Sequence, residues 1–559
     1  MSILLRVSCL AAIAFAAPSL AARVEPAAHD YLRGRYADAD NRLDDAARYY
    51  GTALRADPGN PVLQRRTFDT AVAAGDEALA LRLARDLETA KAGDAATSLV
   101  RLADALKRRD WVAAAGVRGL PDTGYAAAVG AIVEGWISFG RGDVAGALVL
   151  VDPAKGTGIA RSYLVEHRAM LLAAAHRDAE ASPLFANMLD GEAKSVVRVR
   201  IAAAASLSAQ RRNAEATAVL AAGGSDPALG AAAKRLAAGR MIEPGPLDPR
   251  QGVALLLTRL AGDLSHEKPV PLALTFARVA TFLAPETGET WLVAGDVLLR
   301  SGRASAALAA YYRIPPRDWM AALAPAHRGA ALSALGRDDE ARALFTASAA
   351  APTASADDWQ QLGDLERKLD HQAAAAMAYD HAITVAGGDA DWSLYFLRGA
   401  AFEQAGDWGR GEADLRAALG RAPGEPTVLN YLGYALLDRG QKLPEATALI
   451  AAAAKLRPND GFIADSLGWA FYRGGDFARA VAAHEGAARL EPGDATINDH
   501  LGDAYWRVGR HLEARFQWRT AAALDPAPAA AAVLVKKLDF GLDVATAAVA
   551  DASVPPAKP

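Results

Sequence analysis

Cysteine is all but missing. The 559 residues hold one, Cys9, and it lies inside an N-terminal apolar run, Val7 to Ala17, that follows the single positive charge of Arg6 and precedes Pro18 and a small-residue Ser19-Leu20-Ala21. That layout is a secretory signal, residues 1–21, cleaved after Ala21 or Ala22. The mature chain then has no thiol, which excludes disulfides and thiolate metal sites. Arg6-Val7-Ser8 ahead of Cys9 is not the Leu-small-small triplet of a lipid-attachment site. Charge of one sign is missing too, with 61 Lys and Arg against 65 Asp and Glu and a formal net charge of -4. No basic footprint for nucleic acid exists. No run reaches the roughly 20 apolar residues that span a bilayer.

The motifs of catalysis are equally scarce: no G-x-x-x-x-G-K-[ST], no H-E-x-x-H and no G-x-S-x-G occurs. Gly156-Thr157-Gly158-Ile159-Ala160-Arg161 opens like a dinucleotide fingerprint but ends in Arg and reads as a loop. The ten His are scattered, and a pair such as His371 and His381, ten apart, does not share a helix face. Adjacent carboxylates such as Asp338-Asp339 and Asp357-Asp358 point about 100 degrees apart on a helix. The reading is therefore no enzyme, no catalytic residues, no cofactor and no metal.

What is present is a period. Leu432-Gly433, Leu467-Gly468 and Leu501-Gly502 each open a helix, and Pro458, Pro492 and Pro526 follow at 34-residue spacing (492 − 458 and 526 − 492). Around the last Gly stand Tyr505, Ala514, Ala521 and Pro526. Small residues let two helices approach closely, and a proline lacking its N–H ends the second. Upstream the register continues through Gly399, Gly363, Gly329 and Gly295 to Ala261, with Trp359, Ala375, Tyr379 and Ala382 around Gly363, and Trp291, Ala307 and Tyr311 around Gly295. Gly34, Ala46, Tyr50, Ala53 and Pro58 form an early copy, followed by Phe68, Arg101, Gly135, Ala169 and Ala203 in the same phase. Phe68 and Arg101 are too large for the tight position, so their hairpins must splay or shift. The pattern resembles the tetratricopeptide repeat (TPR) and implies an all-α, right-handed superhelical solenoid of about 14 helical hairpins.

Between Ala203 and Ala261 the step is 58 residues, a repeat plus 24. The surplus falls at Gly223 to Arg250, with a short helix at Leu229 to Ala238, and reads as an extra helix or a hinge. The expected organisation is a degenerate array at 22–223, this insertion at 224–250, a regular array at 251–526, a capping helix at 527–542 and a disordered Ala/Pro-rich tail at 543–559.

In such arrays the first helix of each hairpin lines a concave wall that binds other proteins. Counting from each Gly, the exposed side of that helix carries Asn430, Tyr434 and Asp438; then Asp465, Trp469, Tyr472 and Arg473; then Asp499, Asp503, Trp506 and Arg507. Aromatics beside Arg and Asp supply energy and orientation at interfaces. These eleven residues are the candidate protein-binding groove. The runs Asn430 to Asp438, Asp465 to Tyr472 and Asp499 to Trp506 also resemble long bacterial envelope TPR proteins, whose best-understood type is an adaptor lipoprotein for a periplasmic carboxyl-terminal processing protease. That resemblance implies a periplasmic, outer-membrane-associated scaffold presenting cell-wall enzymes to a protease, although the lipid-attachment site is absent. A structural part in exopolysaccharide secretion or outer-membrane assembly is the alternative, and an envelope enzyme with a helical shell a distant third.

Overall fold

The computed structural model describes residues 26–117, 126–190, 196–224, 226–242, 245–265, 271–352 and 354–543. The expected secretory signal and the expected disordered tail beyond Asp543 lie outside them. Thirty α-helices and no strand occur among the described residues, and none of those helices is long and apolar enough to cross a membrane. Twenty-eight pair as fourteen antiparallel hairpins; Pro227–Ala237 and Pro528–Phe540 stand alone.

The turns follow from local chemistry. Gly75, Gly142, Gly406 and Gly475 take positive φ at the end of a first helix, a conformation that costs other residues a clash. The next residue in each case, Asp76, Asp143, Asp407 or Asp476, caps the second helix by accepting a backbone N–H.

Within the hairpins, the ring sixteen residues after the anchor explains the glycine. A Cβ on Gly34 would lie 2.6 Å from the Tyr50 ring, and one on Gly363 would lie 2.6 Å from that of Tyr379. The same rings are tethered outward: Tyr311 donates to Asp296 at 2.7 Å, Tyr379 to Asp364 at 2.7 Å, and the Trp518 indole to Asp503 at 3.0 Å. Where the anchor is large the hairpins still form. Phe68 is fully buried, and Arg101, half-buried in the middle of the helix Ala95–Lys107, pairs with Glu88 at 2.8 Å.

Two compact units divide at Asp358/Trp359, not at the 24-residue surplus. That surplus folds as the helix Pro227–Ala237 inside the first unit, its Leu229, Ala232 and Leu236 buried against Ile201, Leu207 and Leu220. The hairpin Pro249–Ser265/Pro271–Leu283, expected to begin a separate regular array, packs back on earlier helices, Pro61–Ala74, Ala95–Lys107 and Ala126–Gly140. A Cβ on Gly252 would land in the indole of Trp136. Arg278, buried, donates from Nε to the Ala73 carbonyl at 2.9 Å. Glu166, 1% exposed, accepts from Arg198 at 2.7 Å and from Arg259, and Arg198 also meets Glu289 at 3.0 Å. Burial pushes the Glu166 carboxyl up, but the two guanidiniums outweigh it and hold it down at about 2. Apart from Glu166–Arg198, 32 residues apart, these hydrogen bonds join residues 91 to 205 apart in sequence, so no repeat period encodes them. The second unit is simpler: successive hairpins to Ala523, closed by the single helix Pro528–Phe540.

Candidate functional site

The structure sorts the eleven candidate residues of the second unit into two sets. Asn430, Tyr434 and Asp438 lie on the helix Pro426–Asp438, and Trp469 and Arg473 on Gly461–Arg473. These five have polar groups with no hydrogen-bond partner among the described residues. Tyr434 is 37% exposed, Asp438 and Arg473 are exposed, and the Asn430 Oδ1 is buried without a hydrogen-bond partner. The Tyr434 hydroxyl is raised chiefly by partial burial, then by the charges of Asp438 and Asp465, with Arg473 opposing.

The other six are engaged within the chain. Asp465, 7% exposed, accepts from His484 Nδ1 at 2.8 Å and meets His500 Nδ1 at 2.9 Å. Burial works against its charge, but the two imidazoles hold its carboxyl far below the ordinary range. His500 stacks on Trp469 with ring centroids 4.3 Å apart, and Trp469 stacks on Tyr472 at 4.8 Å, giving a three-ring ladder that is half-buried. The Tyr472 hydroxyl accepts from Arg507 at 3.1 Å. Asp499 and Asp503 both accept from Lys537 Nζ, at 2.7 and 2.9 Å. Burial lifts Asp503 to about 6, with Lys537 opposing. Trp506 and Arg507 both donate to Asp543, at 3.2 and 2.7 Å, and Gly541 sits so close to Trp506 that a Cβ there would lie 2.5 Å from the indole. The C-terminal segment thus covers the last third of the expected groove.

His484, His500 and Lys537 escaped the sequence reading. His484 occupies the ring position sixteen residues after Gly468, where other repeats carry Tyr, Phe or Trp, and that substitution was visible. His500 was not, because its partner Asp465 lies 35 residues away on another helix. The two imidazoles and the Asp465 carboxylate offer ligand atoms within 4.8 Å of one another. Such a set suits a divalent cation in kind, but here the carboxylate takes up both imidazole N–H groups.

No protein-family model matches the chain. A TPR repeat-containing protein of Pseudomonas aeruginosa is 42% identical over 90 residues. The chain is similar to tetratricopeptide-repeat proteins. The match spans 16% of this chain and 15% of that relative's length, so it speaks for the repeats and not for a whole protein's activity. Among solved structures, the Cut9–Hcn1 hetero-tetramer of the APC/C aligns with 95% of this chain and 99% of that one, at 14% identity and a TM-score of 0.39. A tetratricopeptide repeat protein from Parabacteroides merdae aligns with 44% of this chain and 96% of its own, at 15% identity and a TM-score of 0.37.

Proposed function

We propose that this protein is a non-catalytic scaffold of the bacterial cell envelope that binds partner proteins or peptides on the second unit, at Asn430, Tyr434, Asp438, Trp469 and Arg473. The observation that carries the reading is the sorting just described: these five, on the first helices of two successive hairpins, keep polar groups that have no partner among the described residues. An extended peptide can supply the missing partners. Its acidic group meets Arg473, and its apolar side chains lie on the Trp469–Tyr472 face. The envelope location rests on the secretory signal, and the adaptor role on the resemblance to envelope TPR proteins. Presentation of cell-wall enzymes to a periplasmic processing protease is its most concrete form.

The test is a crosslinking pull-down from native envelopes with wild type and a Tyr434→Ala, Arg473→Ala variant, both residues being exposed enough to change without unfolding the hairpins. Specific partners that disappear with the variant support the site. A protease and cell-wall hydrolases among them support the adaptor form. Partners retained at wild-type level would falsify the site, and an empty pull-down would remove the scaffold reading.

A further inference from the structure

The first unit contains a cavity of about 380 Å³ where its regular repeats are interrupted. Two irregular segments meet there. One is the 24-residue surplus, which contributes Ala232, Ile242 and Pro246; the other is the turn around the 3-10 helix Trp319–Ala322, which packs against the helix Pro227–Ala237 and contributes Pro315 and Trp319. The regular hairpins supply Met170, Ile201 and Leu255. Gly245 has φ +116 and brings the backbone so close to Met170 that a Cβ would lie 3.1 Å from its sulfur.

The polar groups on this wall are unequally occupied. The acceptors are taken: Glu289 by Arg198 at 3.0 Å, Glu286 by Arg250 at 3.2 Å, and Asp318 by the backbone N–H groups of Gly288 and Met320 at 2.7 and 2.8 Å. Of the cations, Arg198 is taken by Glu166 and Glu289, but Arg317 and Arg235 are not. Arg317 makes no hydrogen bond or ion pair among the described residues, and Arg235 has a single long contact, 3.4 Å, to the Met241 carbonyl. Thr258, 3% exposed, lines the cavity with a buried Oγ1 that has no partner. Buried hydroxyls without partners are rare and call for an explanation.

We infer that this cavity binds a small amphipathic carboxylate, with its apolar body against Met170, Ile201, Ile242, Leu255 and Trp319 and its anionic end at Arg235 and Arg317. The volume suits it. At about 30 Å³ for each water-sized group, the cavity takes on the order of twelve non-hydrogen atoms, within the ordinary range for small-ligand sites. The same chemistry is offered by a free aliphatic acid and by the apolar C-terminal residue of a peptide. This site is distinct from the surface proposed above, and its residues lie wholly in the first unit.

Calorimetric titration of the mature chain with decanoate, decanol, acetyl-Leu-Leu and acetyl-Leu-Leu-amide tests the inference. The expected result is saturable binding of an acid, weakened at least tenfold by Arg235→Ala/Arg317→Ala, with the neutral counterpart indifferent to that variant. Both arginines are exposed, so the variant should fold, and circular dichroism checks that it does. Preference for decanoate assigns the site to an aliphatic acid; preference for the free-acid peptide over its amide assigns it to a chain terminus. Absence of binding by either acid, or binding that the arginine variant leaves unchanged, overturns the inference.

Discussion

At the scale of single residues, the helical glycines divide by what stands over them. Gly363 faces the Tyr379 ring 2.6 Å from where a Cβ would be, whereas Gly486, in the interior of the helix Phe477–Leu490, would meet only the flexible tip of Arg489 at 3.8 Å. Glycine inside a helix costs about 0.5–1 kcal/mol relative to alanine. Gly486→Ala should therefore stabilise the second unit by roughly that amount, while Gly363→Ala should destabilise it by about 1–3 kcal/mol through overpacking. Urea unfolding of the two variants checks both signs. The glycines and their rings were legible in the sequence, because both recur at fixed offsets in a 34-residue period. The Asp465–His484–His500 cluster was not. It draws on three helices, and a search for two histidines on one helix face cannot find it.

At the scale of elements, the C-terminal helix Pro528–Phe540 shows how an array is closed. Without it, Asp499, Asp503, Trp506 and Arg507 would face solvent, as the repeat offsets suggested; with it, Lys537, 4% exposed, sits between the two carboxylates. The cap itself was readable from its apolar spacing, but not that its lysine and the residues just beyond it take four candidate binding residues. Removing one member of a buried ion pair strands the other, so Lys537→Met should cost about 3–5 kcal/mol at pH 8. The loss should shrink toward pH 5, because Asp503, already raised to about 6 with the lysine present, can then bind a proton and shed its charge. Adding Asp503→Asn, which keeps an oxygen for the Trp518 indole, should recover part of the loss at pH 8. Denaturant titrations of the single and double variants at the two pH values measure both effects. A loss that changes neither with pH nor on adding Asp503→Asn would show that Lys537 acts by packing alone.

At the scale of the whole molecule, the two units differ in what holds them. The second is built from neighbours, so its stability sums over adjacent hairpins. The first is closed by contacts distant in sequence, and its buried ionisable groups make those contacts sensitive to pH. His167 is fully buried, with Nδ1 accepting from the Trp136 indole at 3.1 Å. Burial lowers it to about 3, whereas an unfolded histidine titrates near 6.5. The folded state thus binds fewer protons than the unfolded state below about 6.5, and stability falls as the pH drops from there toward 3, by at most about 1.4 kcal/mol per pH unit for one group. Glu166 adds to the trend lower down. Its folded value of about 2 lies below the ordinary carboxylate value near 4.3, so its contribution is complete above that value and is lost between about 4.3 and 2. Hydrogen exchange at pH 7 and pH 4.5, corrected for intrinsic rates, should show protection falling across 126–174 and 249–283. His167→Gln, which preserves an acceptor for Trp136 and cannot be protonated, should flatten the fall between pH 6.5 and 4.5. If it leaves the fall intact, the acid sensitivity of the first unit has another source than the packing of the 249–283 hairpin against the Trp136–His167 pair.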